Sequence, residues 1–108
     1  MIHRVFSVYD AAAKAYLPPF FLPATGMAIR TFSDAVNDPA HQFHRHASDY
    51  TLMEIGSFND SIGVLTCETP VKVIGGLEVR MDVREAKEQV SFIDKKGELD
   101  ASAISNGS

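Results

Sequence analysis

A chain of 108 residues has room for one domain with one core, hiding roughly two-thirds of its unfolded surface, and this excludes a second domain. Apolar residues make up 45% of it, and the net charge of −4 leaves neither half basic: residues 1–60 carry four Lys/Arg against six Asp/Glu, and residues 61–108 six against eight. Bulk electrostatics therefore disfavours tight nucleic-acid binding, although Arg4, Lys14, Arg30 and Arg45 are candidates for a local groove of phosphate contacts.

The start, MIHRVFSVYD, has no long apolar segment, and no apolar run approaches the roughly 20 residues that a membrane helix requires. Ile2 to Tyr9 alternates in β-favouring residue types, with Ile2, Phe6 and Val8 on one face and His3, Val5, Ser7 and Tyr9 on the other. This is the first predicted strand. Five residues, Asp10 to Lys14, then fit a hairpin connection.

Tyr16-Leu17-Pro18-Pro19-Phe20-Phe21-Leu22-Pro23 sets three prolines among large apolar side chains. Proline has no N–H to give a central ladder, so the segment is predicted as an extended edge. It reads either as an edge strand packed on its own core or as a partner-binding strip running from Tyr16 to Leu22, since exposed aromatics beside prolines bury well in interfaces.

The clearest predicted helix follows. Thr25 offers an N-cap, and Ala28, Phe32, Ala35 and Val36 recur at i, i+4, i+7 and i+8. Asp38, which precedes Pro39, is pushed out of helical geometry and stops it.

His41, His44 and His46 come next. As a metal site, H-x-x-H-x-H lacks a cysteine or a carboxylate at a familiar spacing, although Asp38 or Asp49 could supply an oxygen. As a nuclease, histidine, bulky apolar residue and histidine would need a catalytic tyrosine, but the middle residue is Arg45 and Tyr50 starts a strand. The reading preferred is a solvated loop whose histidines bond backbone at a helix end, anchored by Phe43.

Tyr50 to Phe58 has apolar residues at both parities and is predicted as a central strand covered on both faces. Asn59 to Ser61 turns the chain, and Ile62 to Thr69 returns as a strand that holds Cys67 as a buried reduced thiol. Nine of the ten aromatic residues lie at or before Phe58, with Phe92 alone beyond it, so the core is front-loaded. Val71 to Ile74 and Leu77 to Met81, separated by Gly75-Gly76, are each candidates for a further strand. Residues 82–99 read as a mixed-charge short helix or extension, and residues 100–108 as a disordered tail. The fold class is α+β: residues 1–81 form a small antiparallel sheet of about four or five strands on one main helix.

No nucleotide-binding glycine pattern, nucleophile elbow, CxxC pair or carboxylate dyad is present, so no enzyme activity, cofactor or metal is expected. Three ordered stretches, Ser7 to Pro23, Gly26 to Pro39 and His41 to Asp60, together resemble a small nonstructural protein of gokushovirus-like phages in the Microviridae. The resemblance implies a viral accessory protein of the host bacterial cytoplasm, acting in the switch from duplex DNA replication to single-stranded genome synthesis and packaging. It would act by contacting the replication initiator, a procapsid protein or single-stranded DNA. In the DNA reading, bases stack on Tyr9, Tyr16, Phe20 or Phe43, and Arg4, Lys14, Arg30 and Arg45 hold phosphates. Proline-interrupted edges and a thin core also point to a homodimer.

Overall fold

The computed structural model describes residues 1–81; the predicted extension at 82–99 and tail at 100–108 lie outside the described residues. Five strands and one main helix make an α+β fold: β1 (Ile2–Asp10), β2 (Ala15–Tyr16), β3 (Phe20–Leu22), α1 (Thr25–Val36), β4 (Tyr50–Asn59) and β5 (Val64–Gly75). All pairings are antiparallel. In the sheet β1 and β4 are central, β5 forms one edge, and β2 and β3 share the other by pairing with successive parts of β1.

Alternation along β1 decides which residues enter the core. Phe6 and Val8 face α1 and join Tyr50 and Leu52 of β4, Ala28, Phe32 and Val36 of α1, and Phe43, Ala47 and Val79 in one buried cluster. Every member but Val79 lies at or before Leu52, as the front-loaded aromatics require. Ser7, of the opposite parity, is also sealed from solvent, and its hydroxyl donates to the Leu17 carbonyl at 2.6 Å. That bond, with Leu17 N–H to Val8 O at 2.8 Å, holds the proline-rich segment against β1 where the ladder breaks.

Helix α1 runs as its periodicity dictates, but its start differs from the prediction. Ala24 is the N-cap and supplies no side-chain bond. Thr25 is the first helical residue, and its hydroxyl donates instead to Glu54 Oε1 at 3.1 Å. Arg4 pairs with the other oxygen of Glu54, so one carboxylate of β4 ties β1 to the first turn of the helix. At the far end, Asn37 caps α1 and its amide group bonds the Val79 carbonyl (2.9 Å) and the Met81 N–H (2.7 Å). The end of the helix is thereby fastened to the segment after β5.

Four sequence expectations need correction from His41 onward. The loop at 41–46 contains one helical turn, α2 (Gln42–Arg45), followed by a 3-10 turn, Ala47–Asp49. The hairpin turn extends to Gly63, whose φ of +71° puts it in the left-handed region that glycine occupies without strain, so Ile62 belongs to the turn. Strand β5 continues through Pro70 to Gly75, and a bulge there sets Glu68, Thr69 and Pro70 against Ile55, where a proline breaks no ladder bond. Leu77 to Met81 is not a strand: Gly76–Val79 forms a helical turn, α3, in which Glu78 accepts the Gly75 N–H at 2.5 Å.

Cys67 is exposed rather than buried. Helix α1 covers one face of the sheet, and β5 is an outer strand that runs past it, so every residue from Ile62 to Lys72 is exposed. Met53 and Ile55 of β4, expected to be covered, are half-buried for the same reason.

Candidate partner-contact surface

The face of the sheet turned away from α1 gathers the aromatic side chains that the core does not use. His3 and Val5 of β1 lie beside Phe58 and Gly56 of β4, Val5 is opposite Phe21 of β3, and Phe58 is opposite Leu65 of β5. Phe21 meets the edge of Phe58 at 5.9 Å and 77°, while His3, directly across β1 and β4 from Phe58, lies 6.3 Å from its ring. Together His3, Phe21, Phe58 and Leu65 line an open hollow of about 300 Å³. Phe21 is 45% exposed and Leu65 53%, so the hollow presents apolar surface to water.

The strip from Tyr16 to Leu22 has a packed side and an open side. Leu17, Phe20 and Leu22 are half-buried and pack against the core, with Phe20 5.8 Å from Phe6, whereas Tyr16, Pro18, Pro19 and Phe21 are exposed. Leu17, Phe20 and Leu22 therefore anchor the edge to the core, and the remaining residues form its outer surface.

At the opposite end of the same face, Tyr9 and Tyr16 are paired across β1 and β2 with ring centres 4.9 Å apart, next to the turn where Lys14 has φ 56°. The structure thus brings Tyr9, Lys14 and Tyr16 together. The other candidates for nucleic-acid contact lie apart from them. Arg4 is on the helix side, paired with Glu54; Arg30 is on the outer face of α1; Arg45 is on α2. Phe43 is only 8% exposed, with Phe32, His41 and Tyr50 rings at 5.9, 4.4 and 4.4 Å.

The histidines of the loop act on backbone. His41 caps α2 by accepting the Phe43 N–H on Nδ1 at 3.0 Å, and His44 Nδ1 donates to the Val36 carbonyl at 3.0 Å near the end of α1. Burial pushes the Tyr50 phenol up, the Asp10 and Asp49 carboxylates add to this, and Arg45 opposes it. Among the described residues, no group of three or more His, Cys, Asp or Glu side chains could hold a metal ion.

A feature that the sequence did not disclose ties His3 of the hollow to the hairpin turn. Asp60, in the hairpin turn, accepts the Met1 ammonium at 2.7 Å and lies 2.8 Å from His3 Nε2. The Met1 hydrogen bond first, and the His3 bond second, hold its carboxyl below the usual range. A carboxyl depressed on folding contributes stability that is present above its unfolded pKa and is lost as pH falls through the folded value. Hydrogen exchange at the Asp60 amide, which bonds Met1 O at 3.1 Å, should therefore accelerate, beyond its intrinsic pH dependence, as pH drops below the ordinary aspartate range. Asp60→Asn should abolish that extra acceleration. Protection that is the same in both proteins across that range would show that the carboxylate does not hold the turn.

Among the described residues no helix is long and apolar enough to cross a membrane. The family model described as Phage ORF5 protein matches residues 3–79, from β1 to the end of α3. Neither a curated protein nor a solved structure matches the chain.

Proposed function

We propose, starting from the fact that this chain belongs to the Phage ORF5 protein family, that it is a nonstructural accessory protein working by protein contact during infection. The resemblance of three stretches between Ser7 and Asp60 to gokushovirus-like Microviridae proteins supports a role in the bacterial cytoplasm, at the switch from duplex replication to single-stranded genome synthesis and packaging. Its partner is then the replication initiator or a procapsid protein, and the chain carries out no reaction itself.

The observation that carries this reading is the open apolar hollow of His3, Phe21, Phe58 and Leu65. Apolar surface gathered on one face, with Phe21 and Leu65 about half exposed, is the type of patch that interfaces use. Recovering the tagged protein from infected cells should bring down the initiator or a capsid protein with or without nuclease treatment, and Phe21→Lys should lose that protein while folding normally. Capture that survives Phe21→Lys would overturn the assignment of this face, and capture that nuclease abolishes would overturn direct protein contact.

One observation favours a second reading, direct binding of single-stranded DNA: the Tyr9 and Tyr16 rings lie together, and Lys14 is in the turn that joins their strands. A base stacked on an aromatic ring contributes about 1–3 kcal/mol, and each phosphate contact adds to the salt dependence. The net charge of −4 opposes it. With a labelled oligonucleotide, the protein-contact reading expects no binding at low salt or a log–log slope near zero. A slope of about −2 or steeper, lost with Lys14→Ala and Tyr16→Ala, would favour DNA.

A further inference from the structure

We propose that the outer edge of β5 joins the same edge of a second copy, antiparallel and centred on Thr66, so that two sheets become one. Strand β5 pairs with β4 along one side, and among the described residues nothing pairs with the other. Edge strands are ordinarily protected by charge, proline or bulges. Here the protection is confined to one half: Glu68, Pro70, Lys72 and the bulge at 68–70 guard the part nearer Gly75. Val64-Leu65-Thr66-Cys67 has no charge and no proline. Its side chains are exposed on both faces, Val64 at 47% and Leu65 at 53%, beside Ile62 at 68%. A regular, uncharged segment between a tight turn and a bulge is a template for another strand.

Symmetry and charge identify the occupant. A two-fold axis through Thr66, perpendicular to the sheet, keeps each hollow on the same side and sets Leu65 opposite the second copy's Cys67 and Val64 opposite its Glu68. No like charges oppose each other in this register. Beyond the bulge each Lys72 runs toward the second copy's hairpin turn, where the Asp60 carboxylate is exposed. Apolar Leu65 and Cys67 then abut across the seam, and the two hollows lined by Leu65 lie on one continuous face. Leu65 belongs to both surfaces, but each copy keeps Phe21 and Phe58 clear of the seam for the partner assigned above.

Sedimentation equilibrium of the whole protein tests it, with far-ultraviolet circular dichroism verifying that each variant is folded. The wild type should be a dimer at micromolar concentration. Val64→Glu puts a carboxylate opposite the second copy's Glu68 at two symmetry-related places and should raise the dissociation constant at least tenfold over Val64→Lys, which places an ammonium there. Raising salt should narrow that difference. A wild type that stays monomeric at high micromolar concentration overturns the proposal. So does a dimer whose affinity is the same in Val64→Glu and Val64→Lys. In either case a captured initiator or capsid protein would leave the contact function standing.

Discussion

Phe6→Ala is expected to lower the free energy of unfolding by about 3–5 kcal/mol, the loss usual for deleting a fully buried aromatic ring. Phe6 is 0% exposed on a strand flanked by β3 and β4, and it stacks on Phe20 at 5.8 Å. A domain of this size has only about 5–15 kcal/mol of net stability, so the variant should have a large unfolded fraction at moderate temperature. The ring sits between the half-buried Phe20 and Leu22 edge and the face of α1, where three separate chain segments meet. None of them can follow a methyl group inward without breaking its own ladder or helix, and a cavity therefore remains. Urea titration should show the midpoint falling with an unchanged slope. Ile62→Ala, in the exposed turn, should stay within about 0.5 kcal/mol of wild type. A loss under about 1 kcal/mol for Phe6→Ala would mean that the core is not centred on β1.

Local signals carried much of this architecture and failed at the sheet's outer side. The i, i+4 recurrence of Ala28, Phe32 and Val36 is a property of one helix, and these three are its buried residues. Asn59 to Ser61 likewise announces its hairpin from turn chemistry alone. Cys67 departs from its predicted burial because alternation tells which residues share a face but not whether anything covers that face. One amphipathic helix can cover one face of a five-stranded sheet, and the sequence before Asp82 contains one long helical pattern. That count already implied that β5, at the sheet's outer side, would be left uncovered. Val71 to Ile74 and Leu77 to Met81 look alike in composition, but after Gly75 the Glu78 carboxylate closes back on the Gly75 N–H and turns the chain into a helix.

The candidate surface was legible in the same uneven way. The Tyr16 to Leu22 strip was visible from its prolines and aromatics, because those residue types exclude a central ladder. His3, Phe58 and Leu65 were invisible as a group. They stand on three strands, and only the register that pairs His3 with Phe58 and Phe58 with Leu65 brings them together. Phe43 shows the reverse error: an aromatic in a polar loop looks available for stacking, but its ring closes the bottom of the core against Tyr50.

Gly56→Ala is expected to destabilise the protein by about 1–3 kcal/mol or more, with the damage concentrated in the distal hairpin. A Cβ built at Gly56 would lie 2.2 Å from the Thr66 carbonyl oxygen and 3.3 Å from its carbon. The obstacle is backbone, so no side chain can swing aside and β5 itself must retreat from β4. Gly56 adjoins two irregularities at once, the extra residue Ile55 that shifts the register against β1 between Val5 and Phe6, and the bulge of β5 at Glu68 to Pro70. Together these coil the hairpin tightly enough to press Thr66 onto the glycine. Pushing the strands apart there should raise hydrogen exchange from Ser57 to Thr66 while Phe6 and Leu52, on the helix side, keep their protection. Because Thr66 is also the centre of the proposed pairing between copies, the variant should dissociate at concentrations where the wild type stays dimeric. Gly26→Ala, with nothing within 4 Å of the added carbon, should leave both stability and assembly intact or slightly improved. Equal melting curves for wild type and Gly56→Ala would show that β5 already stands off from β4 in solution, and the free edge would then have no fixed position from which to recruit a second strand.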